Sequence, residues 1–165
     1  MEPSAKHTHT LIFLHGLGDS AKGLEKYFGV KGSPLKISQM RVVLPTASRM
    51  PVTINKGMQM NSWYDIFENE NPVDRVKLLQ DGETDLVLKD IWNRYNQDDM
   101  IKSSDLLLEL IEEERNRFAD KSASRIFIGG MSQGCEIALG TLLRYKGAVP
   151  LAGVIGMSGI LGLNI

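Results

Sequence analysis

The sequence reads as an α/β protein built on a mostly parallel sheet. Three observations carry this. Short apolar runs alternate with helical patterns, a glycine-rich turn follows the first run, and a second glycine-flanked turn joins a later run to a helix. In chain order, residues 8–14 form a β-branched and apolar run that stops at His15-Gly16, as a strand entering a turn does. A short helix is expected over residues 20–28, and residues 40–44 form a second apolar run stopped by Pro45. Residues 45–62 contain Pro45, Pro51, Asn55, Gly57 and Asn61 and read as an irregular excursion. Residues 69–99 are polar with weak periodicity, either a polar surface insertion or a helix over 84–95. Over residues 100–118, Leu107, Ile111 and Phe118 recur at helical spacings while Glu112, Glu113 and Arg117 take the other side, which predicts an amphipathic helix. A buried strand over 125–129, a helix over 133–144 and a strand over 151–157 complete the series. There is no internal repeat.

Composition narrows the function classes. At 165 residues the chain makes one domain, 1–165, and an apolar share of 42% is enough for an ordinary core. Nineteen basic against 20 acidic residues leave a net charge of −1. That balance argues against nucleic acid as a partner, because neutralising phosphates needs clustered Lys and Arg. The charge is uneven: residues 65–121 hold 16 acids and 8 bases, a pattern of solvated helix faces and loop. The single cysteine, Cys135, cannot close an internal disulfide, which suits a reducing, cytoplasmic setting. No run approaches the ~18 apolar residues of a transmembrane span, and the polar start MEPSAKHTHT is not a secretory signal. His7 and His9 have a ligand-like spacing but no third ligand beside them, so no metal is expected.

The turn after the first strand, Gly16-Leu17-Gly18-Asp19-Ser20-Ala21, fits a dinucleotide-binding pattern, yet the acid that should end the second strand is missing. No Asp or Glu lies between Lys26 and Tyr64, and no Gly-Lys-Ser/Thr follows any glycine. The remaining uses are a plain strand-to-helix turn or a main-chain donor for a reacting oxygen. The later turn favours the second. Gly130-Met131-Ser132-Gln133-Gly134 is G-x-S-x-G between a strand and a helix, the nucleophile elbow. Small residues two before and two after the serine let strand and helix approach, so that Ser132 Oγ projects above the sheet. The N–H of Gln133 then faces the same space at a helix start. Ser158 lacks the second glycine and reads as a strand-end residue. Cys135, on the elbow helix, reads as a small buried thiol.

These residues resemble the acyl-protein thioesterase/lysophospholipase carboxylesterase family of the α/β-hydrolase fold. The resemblance rests on LIFLHGLGDS, on VVLPTASRMPVTINKGMQMNSWYD, on RIFIGGMSQGCEIAL and on LAGVIGMSGIL, in that order. It implies an α/β-hydrolase-type sheet with helices on both faces and a serine hydrolase of carboxylic esters or acyl thioesters, working without a cofactor. It further implies Ser132 as nucleophile and the N–H groups of Leu17 and Gln133 as the oxyanion hole. Trp63 would lie on the acyl-binding side, or serve as a structural aromatic at a loop end. The substrate would be a lipid ester or an S-acylated protein, reached by transient contact with a membrane surface. Two departures stand out: residues 69–99 are longer and more polar than the family pattern, and Cys135 replaces a usual glycine.

The larger departure is chemical. In this fold the triad runs Ser, then Asp or Glu, then His. The histidines are His7, His9 and His15, all before Ser132, and the one acid after it is Glu136 on the elbow helix. In the family, the position of His15 is structural. The apolar stretch 151–165 also stops where the fold adds further strands, so the domain is expected to be partial, incomplete at its C-terminal side. On these grounds the chain alone is expected to be nearly inert, either as the N-terminal part of a hydrolase or as an inactive acyl-binding module.

Overall fold

The computed structural model describes residues 1–29, 33, 35–67 and 73–163. Strand β1 (His9–Leu14) leads through helix α1 (Ala21–Phe28) to β2 (Met40–Val43), and β5 (Ile126–Met131) leads through α5 (Gln133–Arg144) to β6 (Gly153–Met157). These four strands form one parallel sheet in the order β2-β1-β5-β6. The chain leaves β1 toward one edge and leaves β5 toward the other, so the strand order reverses between them. Crevices at such a reversal, beyond the carboxyl ends of the strands, are where open α/β sheets hold ligands. The register pairs Leu14 with Gly130, which brings the two turns noted in the sequence to the same edge of the sheet.

Because crossovers are right-handed, leaving the sheet in opposite directions puts helices on opposite faces. On one face Leu11 and Phe13 of β1 and Val42 of β2 pack against Leu24 and Phe28 of α1. On the other, Ile12, Leu14, Ile126 and Ile128 pack beneath α4 (Gln97–Arg115) and α5 through Met100, Leu107, Ile111, Ile137 and Ala138. The alternation of Leu11 and Phe13 with Ile12 and Leu14 is the two-residue period of a strand covered on both sides.

One expectation needs correction. Residues 45–62 are not irregular throughout: β3 (Arg49–Val52) and β4 (Met58–Asn61) form an antiparallel hairpin. Its bend uses left-handed conformations at Lys56 (φ 56°) and Gly57 (φ 74°). Pro51 is tolerated because this two-stranded ribbon is all edge, and Met-Gln-Met-Asn carries little strand propensity to announce it. Within the stretch 69–99, α3 (Thr84–Asn93) lies where a helix over 84–95 is one of the two readings, and α2 (Arg75–Gln80) precedes it; residues 69–72 lie outside the described residues. Helix α4 starts three residues earlier than its apolar spacing suggests, because the Asn96 side chain accepts from Asp99 N–H at 3.1 Å and caps it. Among the described residues no helix is long and apolar enough to cross a membrane.

Candidate active site

Ser132 occupies the bend between β5 and α5 with φ 53° and ψ −124°, a conformation that L-residues seldom adopt, and its side chain is exposed. The neighbouring glycines explain how the bend closes. A methyl group at Gly130 would lie 2.3 Å from the carbonyl carbon of Gly134, and one at Gly134 would lie 2.4 Å from Leu14 O. Strand and helix therefore touch through main chain on both sides of the serine. Ser132 N–H donates to Met157 O at 2.8 Å, and Ser132 O accepts from Cys135 and Glu136 N–H. Backbone strain held by surrounding structure in this way is the usual setting of a functional serine on such a turn.

The first turn lies directly against this bend: a methyl group at Gly16 would be 3.4 Å from Ser132 Cβ. His15, fully buried, organises it. Its Nε2 accepts from Ala47 N–H at 3.0 Å, so the ring carries its proton on Nδ1, which donates to Gly16 O at 2.6 Å. Asp19 N–H also donates to Gly16 O, at 3.2 Å. The Gly16 carbonyl and the Leu17 N–H belong to one peptide plane and point in opposite directions. Holding the oxygen therefore aims the N–H. Among the described residues no acceptor is bonded to the main-chain N–H of Leu17 or of Gln133, whereas Gly18 N–H is taken by Asn61 O.

The segment 61–64 joins the two turns. Trp63 is 3% exposed, with its ring stacked 5.0 Å from that of His15 and its Nε1–H donating to His15 O at 2.8 Å. Its indole thus faces the buried underside of the first turn and also walls a small cavity beside Ala47, Met50 and Leu106. The buried side chain of Gln133 accepts from Trp63 N–H at 3.2 Å and donates to Tyr64 O at 3.0 Å, which fixes its amide orientation. Asp65 accepts from both the N–H and the hydroxyl of Thr53, at 2.7 and 2.6 Å, and so ties the segment to the hairpin. The expectation for Gln133 concerned its main chain alone. The part played by its side chain, with Asn61 and Ser62, had one sequence signal, a run of hydrogen-bonding residues around a tryptophan in a turn-rich stretch.

No base stands beside Ser132 among the described residues. Both nitrogens of His15 are engaged; His7 Nε2 bonds Thr10 Oγ1 and His9 Nδ1 bonds Thr8 Oγ1, both near the opposite end of β1. Glu136 is buried and takes the Tyr64 hydroxyl. Burial pushes its carboxyl pKa up, against the opposing pull of the Tyr64 hydroxyl and the Ile160 N–H. Burial likewise pushes the Cys135 thiol up, which makes it a poor nucleophile. Ser158 directly follows β6. No group of three or more His, Cys, Asp or Glu among the described residues could hold a metal.

Comparison with known proteins identifies the family and the fold. The model of the phospholipase/carboxylesterase family matches residues 1–79 and 84–165. The chain is 38% identical over 157 residues to acyl-protein thioesterase 1 of Yarrowia lipolytica, covering 94% of this chain and 58% of that protein. It is 34% identical over 163 residues to acyl-protein thioesterase 1 of Schizosaccharomyces pombe, covering 99% and 61%. The chain thus spans about three fifths of the length of these relatives. Its fold matches that of Zea mays acyl-protein thioesterase 2 with a TM-score of 0.67 at 23% identity, over 98% of this chain and 61% of that one. It also matches a point variant of Arabidopsis thaliana SOBER1 with a TM-score of 0.67 at 23% identity, over 94% and 63%. With its parallel sheet, glycine-braced serine bend and matched residues, the chain belongs to the phospholipase/carboxylesterase family of α/β hydrolases.

Proposed function

We propose that Ser132 is the nucleophile of a hydrolase of carboxylic esters and acyl thioesters, with Leu17 and Gln133 N–H receiving the oxyanion. The observation that carries this reading is the contact between the serine bend and the first turn, with one unbonded N–H on each. Attack by Oγ on an acyl carbonyl would put negative charge on the carbonyl oxygen. A preorganised main-chain donor is worth about 10²–10³ in rate for such an oxygen. Trp63, beneath the first turn, is read as a support for the acyl side more than a surface the substrate touches. No cofactor enters the chemistry.

A serine hydroxyl needs a base, and among the described residues none stands beside Ser132, so slow acylation is expected unless a base is supplied. Sites lacking triad members keep about 10³–10⁴-fold catalysis over water from oxyanion stabilisation and binding. Thioesters fit the arrangement, since a thiolate of pKa about 8.5 leaves with little protonation. The name acyl-protein thioesterase 1 of two relatives supports S-acylated protein as the substrate class; contact with a membrane surface in a cytoplasmic setting is part of the same proposal.

The test is labelling of the chain with a fluorophosphonate probe, with and without added imidazole as a small-molecule base. Slow labelling that imidazole accelerates and Ser132→Ala abolishes is the expected result. Labelling that survives Ser132→Ala would remove the serine from its role. Fast labelling without imidazole would mean that a base is already present. Specific acyl binding without any labelling, with imidazole or without, would favour an inactive acyl-binding module.

A further inference from the structure

The two amides proposed for the oxyanion come from different elements, one on the turn after β1 and one at the start of α5. Their spacing decides whether both can reach one oxygen, because donors must sit about 2.7–3.1 Å from it. One stretch of chain, residues 61–64, is bonded to both elements. At the first turn, Asn61 O accepts from Gly18 N–H at 2.8 Å, Asn61 Nδ2 donates to Asp19 O at 2.8 Å, and Trp63 Nε1–H donates to His15 O at 2.8 Å. At the elbow, Gln133 Oε1 accepts from Trp63 N–H at 3.2 Å and its Nε2 donates to Tyr64 O at 3.0 Å. The Ser62 hydroxyl lies 2.6 Å from Tyr64 O and 3.1 Å from Gln133 Oε1, and its single proton serves one of them. Beyond the elbow, the Tyr64 hydroxyl donates to Glu136. Ser62, Trp63, Tyr64 and Gln133 are each at most 3% exposed, so water does not compete for the bonds that these four residues make to one another.

We propose that residues 61–64 are a strap that sets the distance between the Leu17 and Gln133 amides, with Trp63 and the Gln133 side chain as its positioning residues. This rests on the hydrolase reading for its purpose. The mechanical coupling stands apart from that purpose. Trp63 is bonded through its side chain to the first turn and through its main chain to the elbow, so displacing either end pulls the other.

The experiment follows the amide resonances of Leu17 and Gln133 by two-dimensional NMR in Trp63→Phe, which keeps a ring and loses the indole N–H, and in Gln133→Leu, which keeps the main-chain N–H. Ser62→Ala is the milder variant should either fail to fold. The strap predicts that each substitution shifts both resonances, including the one at the far end. Shifts confined to the end that was altered overturn it. Imidazole-assisted phosphonylation of Ser132 supplies the second readout. The strap predicts a fall in the maximal rate of roughly tenfold, within the range of sub-ångström misplacement, with the half-saturating probe concentration unchanged. A purely structural role would lower the melting temperature and leave that rate alone well below it, and this too would overturn the proposal. Coupled resonances in a chain whose Ser132 never labels would keep the strap and remove the hydrolase reading.

Discussion

At Ser132 the backbone stands at φ 53°, and the strain is held because the residues on either side are too close to give. Gly134 shows this most clearly. A methyl group there would meet Leu14 O at 2.4 Å and His15 O at 2.7 Å, both main-chain atoms of the neighbouring strand and turn. Neither can swing aside as a side chain would. Gly134→Ala is therefore expected to cost about 1–3 kcal/mol, the range of overpacking. A denaturant titration checks this; stability within about 0.5 kcal/mol of the parent would show that the close approach is not what holds the bend. His15 makes the complementary point. It sits next to the proposed site, yet its two nitrogens are used to orient the turn, so nearness to a nucleophile does not make a base.

Among the elements, α5 is the one whose placement decides most. Its first turn is bonded to residues 62–64 through Gln133 and to the Tyr64 hydroxyl through Glu136. Burial raises the Glu136 pKa above its unfolded value, so the native state holds the proton more tightly than the unfolded chain does. Stability then falls as pH rises from the ordinary carboxylate range, about 4.3, through the raised native value, and is level above it. Glu136→Gln, which can still accept from the Tyr64 hydroxyl, is expected to remove that fall and to be more stable than the parent at neutral pH. Urea unfolding between about pH 4 and 8 measures it, and an unchanged slope in the variant would contradict the assignment. The elements also show what was legible in the chain. β1, α1, β2, β5, α5 and β6 follow from apolar runs and glycine punctuation, because each is covered by packing that such patterns encode. The β3–β4 hairpin does not, since Met58-Gln59-Met60-Asn61 is held by pairing and by the Asp65–Thr53 bonds and not by propensity. Helix α2 was hidden by a polar surface with no buried residue, and α3, with Val87 its one buried residue, was legible only as one of two readings of its stretch.

Across the whole molecule, the reversal of strand order between β1 and β5 places two turns from distant parts of the sequence at one edge. The serine motif was readable because its glycines are a steric demand of the bend itself. The bridge between the turns was not, since it depends on which buried side chains meet once the sheet has formed. The serine and the two amides meet where those turns face each other, and a crystal structure of the chain phosphonylated at Ser132 tests that meeting most directly. The phosphoryl oxygen is expected within about 2.7–3.1 Å of both the Leu17 and Gln133 nitrogens. An adduct whose oxygen points to solvent, with neither amide in reach, would contradict it.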